Sequence, residues 1–71
     1  MNKVAFLLSG CGHLDGSEIH EASMSLLSLS MFEFEVTCFA VNTEFQPKNH
    51  MTGDDEGEKR NTLIESARIA R

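Results

Sequence analysis

Seventy-one residues hold one small domain at most, and a chain this short buries only about 60% of the surface its unfolded form exposes, so its core is marginal. Eleven acidic against six basic residues give a formal charge of −5, which argues against a nucleic-acid surface and against an anionic membrane as partners. Cys11 and Cys38 are too few for a disulfide scaffold and fit a reduced, cytoplasmic protein, and no apolar run approaches the ~18 residues of a membrane helix.

Val4-Ala5-Phe6-Leu7-Leu8 is a continuous apolar run. A strand solvated on one face would alternate, so the run predicts a strand covered on both faces, as in a parallel sheet. The following Leu8-Ser9-Gly10-Cys11 matches a bacterial lipoprotein cleavage site behind the basic Lys3. A secretory signal needs about 7–15 apolar residues in a row, and this run is too short.

Between the first strand and the next periodic segment lies GCGHLDG, Gly10 to Gly16. From Ser17 the period becomes helical: Ile19, Ala22, Leu26 and Leu29 fall on one side, with Glu18, Glu21, Ser25 and Ser28 opposite. Asp15 with Glu18 three residues on fits an N-cap and an acidic first turn, which predicts a helix from about Gly16 to Met31. The residues from Phe34 to Val41 are rich in β-formers, with polar members ending at Thr37, so this second strand is expected to start half exposed and end buried. Asn42 to Gly57 contains the only Pro, two glycines and Asp54-Asp55-Glu56, and reads as a loop. Glu58 to Arg71 reads as a second helix, with a stripe of Leu63, Ile64, Ala67 and Ala70, an i,i+3 pair of Glu65 and Arg68, and Ile69 off the stripe.

The order strand, helix, strand, helix is α/β: the opening of a doubly wound parallel sheet, here incomplete. Two parallel strands leave backbone edges unpaired. The chain is therefore expected to be a fragment, a truncated gene product or one piece of a larger assembly, or else a module that pairs through its sheet edge with a partner or a second copy.

Ligands of such sheets sit beyond the carboxyl ends of the strands, which makes the segment Gly10–Glu21 the first candidate site. Dinucleotide binding fits poorly: Gly10 and Gly12 would need a third glycine where Asp15 stands, and the second strand ends at Asn42 without a ribose-binding acid. Cys11, His13, Asp15 and His20 are possible metal ligands, but their spacing matches no common arrangement, and no metal site is expected. Cys11 could be a nucleophile at a strand end, yet nearby acids would raise its pKa. A buried structural thiol is the favoured role for Cys11, and a core position for Cys38. Glu18 has two readings: a capping carboxylate, or an acid that orients or shares a proton with a nucleophile carried elsewhere in the fold.

The segments KVAFLLSGCGHLDGSEIHEA, VTCFA, NHMTG and RNTLIESARIAR together resemble the N-terminal third of the enhancing-lycopene-biosynthesis proteins. These are also called isoprenoid biosynthesis proteins with amidotransferase-like domain, or sigma cross-reacting proteins. They belong to the ThiJ/PfpI group of the class I glutamine amidotransferase-like superfamily. The resemblance covers nearly the whole chain, so residues 1–71 are expected to be the N-terminal part of such a domain.

It implies a flavodoxin-like sandwich and similarity to glyoxalases that convert glyoxal to glycolate without a cofactor, hence a small carbonyl substrate and no bound cofactor. In such proteins a cysteine on a strand-to-helix elbow is the nucleophile, and a glutamate in the first helix turn contacts it. Glu18 matches that glutamate, and Gly10 and Gly12 match residues that let backbone approach the site, with Cys11 and Asp15 in the same loop. Neither Cys11 nor Cys38 matches the elbow, so the chain alone is expected to be inactive. The resemblance also implies a mitochondrial location if the protein is eukaryotic and a transit peptide is missing.

Two departures stand out. Family members carry a small residue and a glycine where Phe32-Glu33-Phe34 stands, and Glu33 in a left-handed turn would cost about 1 kcal/mol or more. DDEGEKRN matches only at its end. Both suggest a divergent or decaying copy.

Overall fold

The computed structural model describes residues 2–71. The elements run β1 (Lys3–Leu8), α1 (Ile19–Met31), β2 (Glu35–Ala40), β3 (Glu44–Phe45), β4 (Arg60–Asn61) and α2 (Thr62–Ala70). β1 and β2 pair in parallel, with Val4 opposite Val36, Phe6 opposite Cys38 and Leu8 opposite Ala40. A parallel pair needs a crossover, and α1 supplies it. The α/β class and the strand–helix–strand–helix order are as expected.

Strand parity puts Val4, Phe6 and Leu8 on the same face as Val36, Cys38 and Ala40, and all six are buried or half-buried. The opposite face is open: Ala5 and Thr37 are exposed, Leu7 is 72% exposed and Phe39 53%. The expectation of a first strand covered on both faces is therefore corrected, as is that of a second strand with a buried end. Leu7 lines a cleft beside α1 and Phe39 a groove beside α2, yet both stay largely exposed. The Cα extents, 42 × 23 × 13 Å, are those of a thin slab.

α1 begins at Ile19, three residues later than the sequence pattern suggests, because its N-cap is Glu18 and not Asp15. Ala22 is buried and Leu26 and Leu29 are half-buried, but Ile19 remains 45% exposed. The helix stops at Phe32 with a Schellman arrangement: Glu33 N–H donates to Ser30 C=O and Phe34 N–H to Leu29 C=O. Glu33 has φ +60, the left-handed conformation expected of it.

The stretch read as one loop holds short antiparallel structure. β3 pairs with β4, Glu44 opposite Asn61 and Phe45 opposite Arg60, and a bridge joins Lys48 to Asp55 further out. β4 occupies the residues predicted to begin the second helix, which instead starts at Thr62. Asn61 caps it by accepting the Ile64 N–H at 2.9 Å.

The face of α2 is also corrected. Thr62, Glu65 and Ser66 are buried and Ile69 is half-buried, while Leu63 and Ile64 are 43% and 66% exposed. Leu63, Ala67 and Ala70 line an open apolar groove of about 160 Å³ with Leu8, Cys38 and Ala40. The apolar stripe exists, but it borders the sheet without being covered.

Candidate functional site

The loop between β1 and α1 begins at Leu8, only 2% exposed. It turns at Gly10, whose φ of +81 suits a residue without a Cβ, and closes on itself. Ser17 N–H donates to Ser9 C=O at 2.9 Å, Gly12 N–H to Ser17 C=O at 2.9 Å, and Ser9 N–H to Ser17 Oγ at 2.9 Å.

Two further glycines are needed for space. A Cβ on Gly16 would sit 2.6 Å from the Ser9 carbonyl oxygen and 2.8 Å from the Cys11 nitrogen; one on Gly12 would fall against the Asp15 carboxylate and 2.9 Å from the His50 ring. Their missing side chains make room for the protein's own atoms.

Glu18 stands where the loop hands over to α1. Its Oε1 accepts His20 N–H at 3.1 Å and its Oε2 accepts Glu21 N–H at 2.9 Å, and His20 Nδ1 lies 3.3 Å away. The hydrogen bonds from the Glu21 and then the His20 backbone hold its carboxyl below the ordinary 4.5. An ionised carboxylate has more than two acceptor positions, so two backbone donors leave capacity for another. Glu18 borders a shallow cleft of about 240 Å³ against the end of β1, lined by Phe6, Leu7, Leu8, Ser17 and Glu21.

Asp15, expected to cap α1, turns instead toward the β3–β4 arm. Its side chain is 10% exposed; Oδ2 accepts Lys48 N–H at 2.7 Å and Oδ1 lies 3.0 Å from His50 Nε2. Burial pushes its carboxyl up, but the Lys48 N–H and the His50 ring together outweigh it and leave the group below 3.8.

On the other side Gly10 N–H donates to Ser66 Oγ at 2.7 Å, and that hydroxyl donates to Thr62 C=O at 2.6 Å. Buried Glu65 takes Arg60 and Arg68 on one oxygen, each at 3.3 Å. The i,i+3 pair read from the sequence thus forms, with a third member from β4.

Cys11, Asp15, Lys48, His50, Arg60 and Glu65 line a cleft of about 220 Å³ between the loop and the arm. Its charges are satisfied internally: Asp15 with His50, Arg60 with Glu65, and Lys48 with Asp55 outside it. That pattern holds loop and arm together, and Glu56, which lines the same cleft, accepts from the Asn49 side chain. Cys11 and Cys38 are free thiols, each half-buried rather than fully so. The four candidate metal ligands do not converge: Asp15 pairs with His50 and His20 with Glu18, and no group of three ligating side chains forms among the described residues.

His50, Lys48 and Ser66 escaped the sequence reading because their bonds to the loop span 33 to 56 residues, beyond any local pattern. The cap at Asn61 was missed as well, although asparagine is a favoured N-cap and that signal could have placed the helix start.

No family model matches the chain. Among curated proteins it is 52% identical over 71 residues to the "Glutamine amidotransferase-like class 1 domain-containing protein 3, mitochondrial" of Homo sapiens, covering 97% of this chain and 26% of that protein. It is 51% identical to the "ES1 protein homolog, mitochondrial" of Rattus norvegicus, over 97% of this chain and 27% of that protein. With the "ES1 protein, mitochondrial" of Danio rerio it shares 35% identity over 94% of this chain and 26% of that one.

The crystal structure of an isoprenoid biosynthesis protein with amidotransferase-like domain from Ehrlichia chaffeensis superposes with a TM-score of 0.93 at 46% identity, over 100% of this chain and 34% of that one. The chain thus spans about a quarter of the length of the curated relatives and a third of the solved one. It is a homologue of the ES1 and glutamine amidotransferase-like class 1 domain proteins, matched along one segment of their length.

Proposed function

We propose that these residues supply the acid-bearing wall of a glyoxalase-like active site in a protein linked to isoprenoid biosynthesis. Glu18 is the positioned carboxylate, and a cysteine from another part of the protein is the nucleophile. The net reaction adds water to glyoxal to give glycolate, an internal redox change that needs no external oxidant. Glu18's part is to hold or exchange a proton with the thiol or the bound carbonyl.

The observation that supports this most is the placement of Glu18. It stands at the carboxyl end of β1, where α/β folds bind ligands, fixed by two backbone donors and kept ionised. Cys38 lies mid-strand in the half-buried face of β2 and has no such placement.

The test is glyoxal turnover by a full-length protein containing this segment. Glu18→Gln should lower kcat by about 10²-fold or more, the usual scale for a lost acid–base group. The 71-residue chain alone should show no turnover above buffer. Unchanged kcat in Glu18→Gln rejects the role of Glu18. Activity in the short chain that disappears with Cys11→Ser makes Cys11 the nucleophile instead.

A mitochondrial location is proposed from the names of the relatives, and fractionation of cells expressing the full-length protein tests it. A second reading, a non-enzymatic module that pairs through its sheet edge, is favoured by one observation. Among the described residues only β1 and β2 form the parallel sheet, and Leu7 and Phe39 stand exposed on it. Light scattering separates the two: a strict monomer with sharp side-chain resonances counts against the module.

A further inference from the structure

The bonds of Asp15 serve no purpose within its own loop, which is already closed by the Ser9–Ser17 pair. They reach across 33 and 35 residues to the arm that carries β3 and β4. Gly12 is open on the same spot, and any side chain there would collide with both Asp15 and His50. Two loop residues and one from the arm, 35 residues from Asp15, are thus matched to one small contact. Lys48 in turn sits on the bridge to Asp55 and pairs with it, so the arm's fold and its attachment meet at one residue.

We propose that Asp15 is a positioning residue: with His50 and the Lys48 backbone it forms an acid-releasable latch that holds the 44–61 arm on the glycine loop, over the cleft beside Cys11. The latch concerns conformation and stands apart from the reading of Glu18 as a proton carrier. The groups around it are Lys48 and His50 on the arm and Cys11 on the loop, with Glu56, Arg60 and Glu65 lining the same cleft.

The direction with pH follows from the carboxyl. Its folded-state pKa lies below the ordinary 3.8. The latch is therefore fully closed above that value, and it opens as the pH falls through the lowered folded value, when the carboxylate takes a proton and loses its acceptor strength.

Amide exchange of the Lys48 N–H, followed by NMR on the 71-residue chain, reads the latch directly. The Glu35 N–H, bonded to Asn2 C=O at 2.9 Å on the far end of the sheet, is the control. Asp15→Asn should speed Lys48 exchange by about tenfold or more, the loss expected for a hydrogen bond to a charged acceptor, with Glu35 unchanged. Gly12→Ala should do the same by steric displacement.

His50→Gln should speed Lys48 exchange less, and its effect should shrink when Asp15 is already Asn, since the two act as one unit. In the unmutated chain Lys48 should lose protection, relative to the intrinsic rate, as the pH falls below 3.8, and before Glu35 does. Unaltered Lys48 exchange in Asp15→Asn overturns the proposal, as does equal acceleration at Glu35 or a Lys48 amide unprotected at any pH. Full additivity of the two substitutions removes His50 from the latch and overturns it in the form stated.

Discussion

The carboxyl end of the parallel strands and the open face of the same sheet are held on different terms. At the carboxyl end, Gly10, Asp15 and Glu18 are each tied by hydrogen bonds, two of them to partners more than thirty residues away. On the open face Ala5, Leu7, Thr37 and Phe39 touch water. The first region has shape but little apolar mass. The second has apolar mass and leaves most of it exposed. Hydrogen bonds contribute modestly to net stability and strongly to geometry, whereas burial contributes stability without direction. So the chain keeps a defined loop on a thin hydrophobic foundation, and Leu8 is where the two regions join.

The sharpest way to break that contrast is at the joint. Leu8→Ala removes the most deeply buried large side chain and should cost about 3 kcal/mol. That is a large share of the roughly 4–10 kcal/mol a chain of this size has available. Circular dichroism should show loss of a cooperative thermal transition near room temperature.

Next is Gly16→Ala, which drives a methyl into the Ser9 carbonyl. Overpacking against backbone costs about 1–3 kcal/mol. Resonances of Ser9 to Ser17 should shift far more than those of β2, and equal shifts throughout would erase the distinction between the two regions.

Third, Glu33→Gly relieves a left-handed residue in the α1 terminus and should stabilise by about 1 kcal/mol, raising the thermal midpoint by several degrees in a melt.

Smallest is Leu7→Thr on the open face. It should alter stability by less than about 0.5 kcal/mol while lowering self-association in sedimentation. A loss above about 1 kcal/mol would mean that this face is covered in solution.

What was legible in the sequence divides along the same line. Strands β1 and β2, the first helix, the strained Glu33 and the Glu65–Arg68 pair were readable because each depends on neighbours within one or two turns, whereas β3 and β4, read as loop and helix start, pair across fifteen or more residues. The cap of α1 was misplaced by three residues because Asp15 and Glu18 are both good caps; only the distant Lys48 and His50 decide which one stays. The inward face of α2 was misread for a related reason. Its polar residues are buried through Gly10, Arg60 and Thr62, partners that periodicity cannot see, while its apolar stripe borders an uncovered groove. Of the candidate site, the sequence placed Glu18 at the start of α1, but neither its part as the N-cap in place of Asp15 nor the network that frames it was read.

The hydroxyl of Ser66 joins the first loop to the last helix, accepting from Gly10 and donating to Thr62. Closing a contact that wide is entropically costly and slow. While the chain is being synthesised, β1 and α1 are made long before Ser66 exists. The loop between them must therefore wait, with its Gly10 donor turned to water, and reaches its final shape only after the last turn of this segment has been translated.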